Sequence, residues 1–171
     1  MTLEAFIAGH SALVTRMSAD DQLRYASFGL VAVGIELLGA CRDDEDFHAT
    51  NRGLCEERFG RGIDLYMSPV DARYGQFNRT GCAHRLYKNL RCGMSHVMRP
   101  AGRIGFTSRG ESLQDGTEHL GLRHGSGQSL LVLVAEQFAD DFALACHALL
   151  AELPTLRTCH PKLAPDFLRI G

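Results

Sequence analysis

The chain lacks several features that would have assigned it early. Its six cysteines, Cys41, Cys55, Cys82, Cys92, Cys146 and Cys159, are scattered, and no two form a Cys-x-x-Cys pair. The opening Met1-Thr2-Leu3-Glu4-Ala5-Phe6 has neither the basic start nor the apolar run of an export signal. Together these predict a cytoplasmic protein whose cysteines are reduced thiols, most of them small core residues. No apolar run is long enough to span a bilayer comfortably. The most apolar stretch, residues 27–41, contains Glu36 and reads as a buried helix, so no membrane association is expected. No Walker-type, Rossmann-type or Ser-His-Asp pattern is present. There is no internal repeat, low-complexity tract or linker, which leaves one domain over residues 1–171. The most informative absence is of acid. Residues 72–110 contain no Asp or Glu, yet hold Arg73, Arg79, Arg85, Lys88, Arg91, Arg99, Arg103 and Arg109. The whole chain carries a formal net charge of −2, so the remainder is strongly acidic. Charge separated in this way points to an anionic partner for one surface.

The periodicity is mainly helical. Leu3, Phe6, Ile7, Leu13, Val14 and Met17 repeat at helical intervals. Ser18, three residues before Asp21, is placed to cap a second helix running to about Arg42. That helix is apolar nearly all round, so it should be central in a bundle, with Gly29, Gly34 and Gly39 allowing close approach of neighbours. Asp43-Asp44-Glu45-Asp46 reads as the solvated start of a third helix that buries Phe47, Leu54, Cys55 and Phe59. Residues 60–78 read as a loop with a short helix around Val70 to Tyr74. Thr80 can cap a further helix, which Pro100 and Gly102 end. Alternation over 103–108 and 119–123, the turn His124-Gly125-Ser126-Gly127 and the apolar run 130–135 predict a small antiparallel sheet. A last helix is expected over 136–153, stopped by Pro154, with Phe138, Phe142, Ala145, Leu149 and Leu153 inward. Phe167, Leu168 and Ile170 are placed to pack back from the tail. The architecture is a mainly α helical bundle with a small antiparallel β insertion before the last helix.

The helix after Thr80 sits inside the acid-free segment. Leu86, Leu90, Gly93 or Met94, and Val97 form its apolar side, and it carries Arg91-Cys92-Gly93-Met94-Ser95-His96. An Arg, four residues and a His on one helix resembles the HEPN superfamily of small helical-bundle domains, many of them metal-independent RNases of toxin and defence systems. The longer string Leu86-Tyr87-x-x-Leu90-Arg91-Cys92-Gly93-Met94-x-His96, followed by Arg99-Pro100, is similar to uncharacterised bacterial proteins related to that superfamily. The resemblance implies a homodimer acting on RNA without metal or cofactor, with His96 as acid or base and Arg91 as phosphate clamp. It also implies an antitoxin or other partner protein. The chemistry agrees. Cleaving RNA through its own 2′-hydroxyl needs a proton carrier near neutral pH, and the phosphate needs fixed cationic donors. Lys88, Asn89, Ser95, Arg99 and Arg103 flank the pair as candidate phosphate or RNA contacts, with Tyr87 half-buried beside them.

Other readings stay open at this point. Residues five apart on a regular helix point about 140° away from each other, so Arg91 and His96 need a loosened turn or a second subunit to converge. Cys92 stands where the family often has a polar residue, frequently Asn, and the helix stops early at Pro100. Arg91 then pairs with an acidic helix elsewhere, and His96 serves the helix C-terminus. A non-catalytic module binding RNA, nucleotide or protein through the basic surface is the alternative function. Cys82, His84, Cys92 and His96 also carry zinc-ligand chemistry if the helix starts late enough for them to converge.

Overall fold

The computed structural model describes residues 1–125 and 127–163. Helix α1 spans Leu3–Ala19, and the Thr2 hydroxyl caps it by accepting the Ala5 N–H at 3.2 Å. Helix α2 spans Arg24–Ala40. Ser18 is not its cap. It is buried inside the last turn of α1, and its hydroxyl donates to the Thr15 carbonyl. The turn between the helices is made by Asp20, whose carboxylate accepts the N–H groups of Gln22 and Leu23.

Helix α2 is the centre of the bundle and packs against α1, against α3 (Leu54–Gly62) and against α7 (Ala135–Cys159). The crossing of α2 and α3 is set by two glycines. A Cβ on Gly39 would lie 1.8 Å from the Arg58 carbonyl oxygen, and one on Gly62 2.0 Å from that of Ile35. No side chain fits at either position, and the two backbones touch. Gly34 likewise leaves room for the Phe142 ring, whereas a Cβ on Gly29 would make only an ordinary contact with Met94 at 3.4 Å.

The acidic run does not begin a helix. Gly53, at φ +86°, precedes α3, and the loop before it turns Asp43 inward. Asp43 is 8% exposed and accepts from Arg58 at 2.7 Å and Arg61 at 3.2 Å, with Lys162 also bound to it. Three cations make burial of this carboxylate tolerable. Helical structure continues where a loop was expected. Helix α3 runs into a π-helical segment, Ile63–Met67, and α4 spans Arg73–Asn78. Ile63, Tyr66, Met67 and Tyr74 are buried there, so apolar burial outweighs the glycines.

A second π-helical segment, Tyr87–Cys92, leads into the short α5, Gly93–Val97. Then come β1 (Ile104–Thr107), α6 (Arg109–Asp115), β2 (Gly121–Gly125) and β3 (Gln128–Val134). The sheet is mixed, with β3 central. The β2–β3 hairpin is antiparallel, whereas β1 runs parallel to β3 with Ile104 opposite Leu131. Helix α6, opened by a Ser108–Glu111 capping box, occupies the connection that takes the chain from β1 to the far edge. Ser126 of the hairpin turn lies outside the described residues.

Helix α7 buries Phe138, Phe142, Ala145, Leu149 and Leu153 as the spacing requires. It does not stop at Pro154, which removes one N–H from the helix interior. The final turns are held from outside. Leu156 is buried, and Arg157 pairs with Glu4 and donates to the Leu163 carbonyl. Phe167, Leu168 and Ile170 lie outside the described residues. All six cysteines are free thiols, but only Cys41 and Cys146 are core residues. No helix of the described residues is long and apolar enough to cross a membrane.

Candidate phosphate-binding site

The motif helix is anchored by Leu86, Leu90 and Met94, all buried against the bundle. It begins at Leu86, after the turns around Gly81, so Thr80 does not cap it. Val97, expected on the apolar side, is 68% exposed, because the chain reverses at Met98 in the left-handed region (φ 51°). The reversal folds residues 99–101 back over the helix. Ala101 N–H donates to the Asn89 carbonyl at 2.7 Å, and Arg99 N–H to that of Gly93. Gly93 permits this, since a Cβ there would meet the Arg99 carbonyl oxygen at 2.4 Å. Arg99 is thereby carried back beside the motif helix.

Arg91 is held from an unexpected direction. Its Nε donates to the Glu36 carboxylate at 2.6 Å, with side chains 17% and 16% exposed. Burial alone would lower the Arg91 pKa, but Glu36 outweighs it and holds the guanidinium above its ordinary value. The Nη groups of Arg91 make no hydrogen bond among the described residues. The arrangement therefore fixes one edge of the guanidinium and leaves the other available. Glu36 is the residue that motif reading missed. Its signal is isolation: between Arg24 and Arg42 it is the one charged residue on an otherwise apolar helix.

The π-helical segment changes the neighbours of the motif. Its i→i+5 pattern brings residues five apart closer to stacking than a regular helix does. Tyr87 and Cys92 are such a pair. Burial first, and then the Cys92 thiol, pushes the Tyr87 phenol up to about 12. Cys55, from α3, has its thiol pKa raised, first by burial and then by the Glu36 carboxylate. The junction with α5 falls between Arg91 and His96.

The remaining candidates divide. His96, Ser95, Lys88 and Arg99 are exposed, and Arg103 is half-buried. Asn89 is not a surface contact. It is buried, and its amide donates to the carbonyls of Ala83 and Arg85, where it stabilises the helix start. Half of the cations of the acid-free segment are neutralised by the rest of the molecule. Arg73 pairs with Asp71, Arg85 with Glu56, Arg91 with Glu36 and Arg109 with Asp140. Among the described residues Arg79, Lys88, Arg99 and Arg103 form no ion pair, and these are the cations available to an anion. Cys82, His84, Cys92 and His96 do not converge. No group of three or more His, Cys, Asp or Glu able to hold a metal gathers among the described residues. His84 instead bonds the Ser129 carbonyl at 2.9 Å.

No protein-family model matches this chain, and neither a curated protein nor a solved structure matches it.

Proposed function

We propose that the chain is a HEPN-like RNA-directed domain that grips the phosphodiester backbone through Arg91 and His96 and cleaves it without metal. One observation carries the reading. The Arg91 guanidinium is braced at Nε by the half-buried Glu36 carboxylate, with its Nη edge unbonded among the described residues, and the π-helical segment that carries it runs directly into α5, where His96 is exposed. A braced guanidinium is the geometry that fixed donors to a phosphate require. In the reaction the 2′-hydroxyl attacks the adjacent phosphorus and the bond to the 5′-oxygen breaks. The products are a 2′,3′-cyclic phosphate and a 5′-hydroxyl. His96 accepts the 2′ proton or donates to the departing oxygen, and a second copy of the chain supplies the complementary imidazole in a homodimer. Lys88, Ser95, Arg99 and Arg103 extend the contact along the strand.

The test is incubation with single-stranded RNA in excess chelator. Cleavage to cyclic-phosphate ends is expected for the wild type, and its loss, with the fold intact, for His96→Ala and Arg91→Ala. Equal cutting by wild type and His96→Ala removes the catalytic reading.

A second reading, binding without turnover, is favoured by His96 itself, whose ring has no hydrogen-bonding partner among the described residues to set its tautomer. It predicts salt-sensitive RNA binding that Arg99→Glu with Arg103→Glu weakens, with the RNA left intact. RNA binding unchanged by that double reversal counts against it.

A further inference from the structure

The most deeply buried polar side chains of the molecule satisfy one another. Burial pushes the His119 pKa down to about 3, its ring meets the Tyr74 hydroxyl at 2.9 Å, and Tyr74 donates to Asp141 at 2.8 Å. An open site lies instead at the end of the motif helix. There Tyr25, in the first turn of α2, is 44% exposed, and its hydroxyl donates to the Met98 carbonyl at 2.9 Å. Met98 is where the chain reverses, two residues beyond His96 and one before Arg99. The bond fixes the Tyr25 ring beside the reversal that joins these two residues.

The ring does not stand alone. Phe106 of β1 meets it edge-on, with centroids 5.5 Å apart, and lies flat on the buried Phe28 at 3.8 Å. The three rings form the apolar side of a cleft of about 170 Å³, whose polar side holds Asp21, Arg24 and Glu111. Glu111 is fixed in place. Its Oε2 accepts the Ser108 N–H and the Thr107 hydroxyl, both at 3.0 Å, and these bonds, the backbone one first, hold its pKa below the ordinary glutamate value. Its Oε1 accepts no bond among the described residues. Arg24 donates through Nε to the Ser18 carbonyl and through Nη2 to Asp21 at 2.6 Å, which leaves Nη1 without a bond among the described residues.

Each feature narrows the occupant. A fixed, partly exposed ring offers a stacking surface at little cost in conformational freedom. Two carboxylates against one guanidinium repel a phosphate, so a sugar–phosphate chain stays outside the cleft, on the side of Arg99. The open Glu111 oxygen accepts an N–H, and every RNA base carries N–H donors on its pairing edge. The volume takes one heterocycle and excludes a folded partner. We infer that this cleft receives one unstacked base of the RNA strand, stacked on Tyr25 and hydrogen-bonded to Glu111, while the neighbouring phosphates lie along the motif helix. The base site rests on the RNA reading of that helix and deepens it.

The probes are two 2′-O-methyl hexamers, which lack the attacking hydroxyl: one carries cytosine throughout, the other abasic sugars on the same backbone. Fluorescence anisotropy of the labelled strands reads their affinity for the full chain. The cytosine strand should bind about 5- to 150-fold tighter than the abasic one, the range for one stacked base. Tyr25→Ala should remove most of that difference and leave abasic binding unchanged, and Tyr25→Phe should retain it. Glu111→Gln, which keeps the α6 capping box, should reduce it several-fold. The outcomes separate the two readings. Abasic binding that falls in Arg91→Ala supports the phosphate site by itself. If the two strands then bind equally, or Tyr25→Ala preserves the difference between them, the base site is overturned and the phosphate site stands; a cleft that serves a protein partner gives that same result. If neither strand binds, both readings fall.

Discussion

Removing one charge from the Glu36–Arg91 pair should destabilise the chain, and removing both should largely restore it. The groups meet at 2.6 Å with side chains 16% and 17% exposed, between a fully buried pair and a surface one. Breaking a buried pair costs about 3–5 kcal/mol, and a surface pair about 1 kcal/mol or less. With the Nη edge of Arg91 able to reach water, Glu36→Gln should cost about 2–3 kcal/mol. Arg91→Met strands the carboxylate on an apolar helix. The double variant leaves no stranded charge, so its loss should fall about 2 kcal/mol short of the sum of the singles. Urea unfolding at pH 7 reads all four proteins, and each single change should lower the thermal midpoint by roughly 4–12 °C. Single losses that add within about 0.5 kcal/mol would show that the two groups do not depend on each other, and the bracing argument would fail.

Glycine replacements separate packing from helix propensity. Gly39→Ala drives a Cβ into the Arg58 carbonyl oxygen and should cost about 3 kcal/mol or more, whereas Gly9→Ala on α1 meets nothing within 4 Å and should stabilise by about 0.5–1 kcal/mol; denaturant midpoints compare them. Asp43→Asn leaves Arg58 buried with neutral partners and should cost about 3–5 kcal/mol by the same assay. The pH dependence follows from His119. Its folded pKa of about 3 lies below that of an unfolded His, about 6.5, so the unfolded chain takes up the proton first as pH falls. The stability contribution is complete above about pH 6.5 and is lost toward pH 3, at no more than about 1.4 kcal/mol per unit. Unfolding titrations should show that slope flattened in His119→Gln, and identical slopes would count against a buried neutral ring.

Helical periodicity was enough to place α1, α2 and α7 and the central position of α2, because each buries one broad apolar surface. β1 and β3 were visible from their apolar residues, whereas β2 is almost wholly exposed and was visible only from alternation and the turn that follows it. What failed was local grammar overridden by distant partners. Ser18 has the spacing of a cap, yet Asp20 turns the chain, and Ser18 is buried in α1. The run beginning at Asp43 looks solvated, but Arg58, Arg61 and Lys162 draw that aspartate inside from positions far along the chain. Pro154 reads as a stop, but burial of Leu156 and the Arg157 contacts carry the helix past it. The parallel placement of β1 depends on how α6 crosses the sheet edge, which alternation does not encode. Of the site, the motif was legible and its brace was not. A lone Glu36 on α2 and a lone Arg91 among apolar neighbours match by charge, but only the fold shows that they meet. Asn89 was misread because its polar side chain turns back to its own helix start.

The central claim is that Arg91 and His96 contact the same phosphodiester. The most direct measurement is a nitrogen-detected titration of the full chain with a short single-stranded RNA carrying a non-cleavable 2′-deoxy link, following the Arg91 Nε–H and the His96 ring nitrogens. The account predicts that both sets of resonances shift together with one saturation curve, and that Arg91→Lys abolishes the response at His96. Saturation of the RNA with neither group responding, or with only the Lys88, Arg99 and Arg103 surface perturbed, would contradict it.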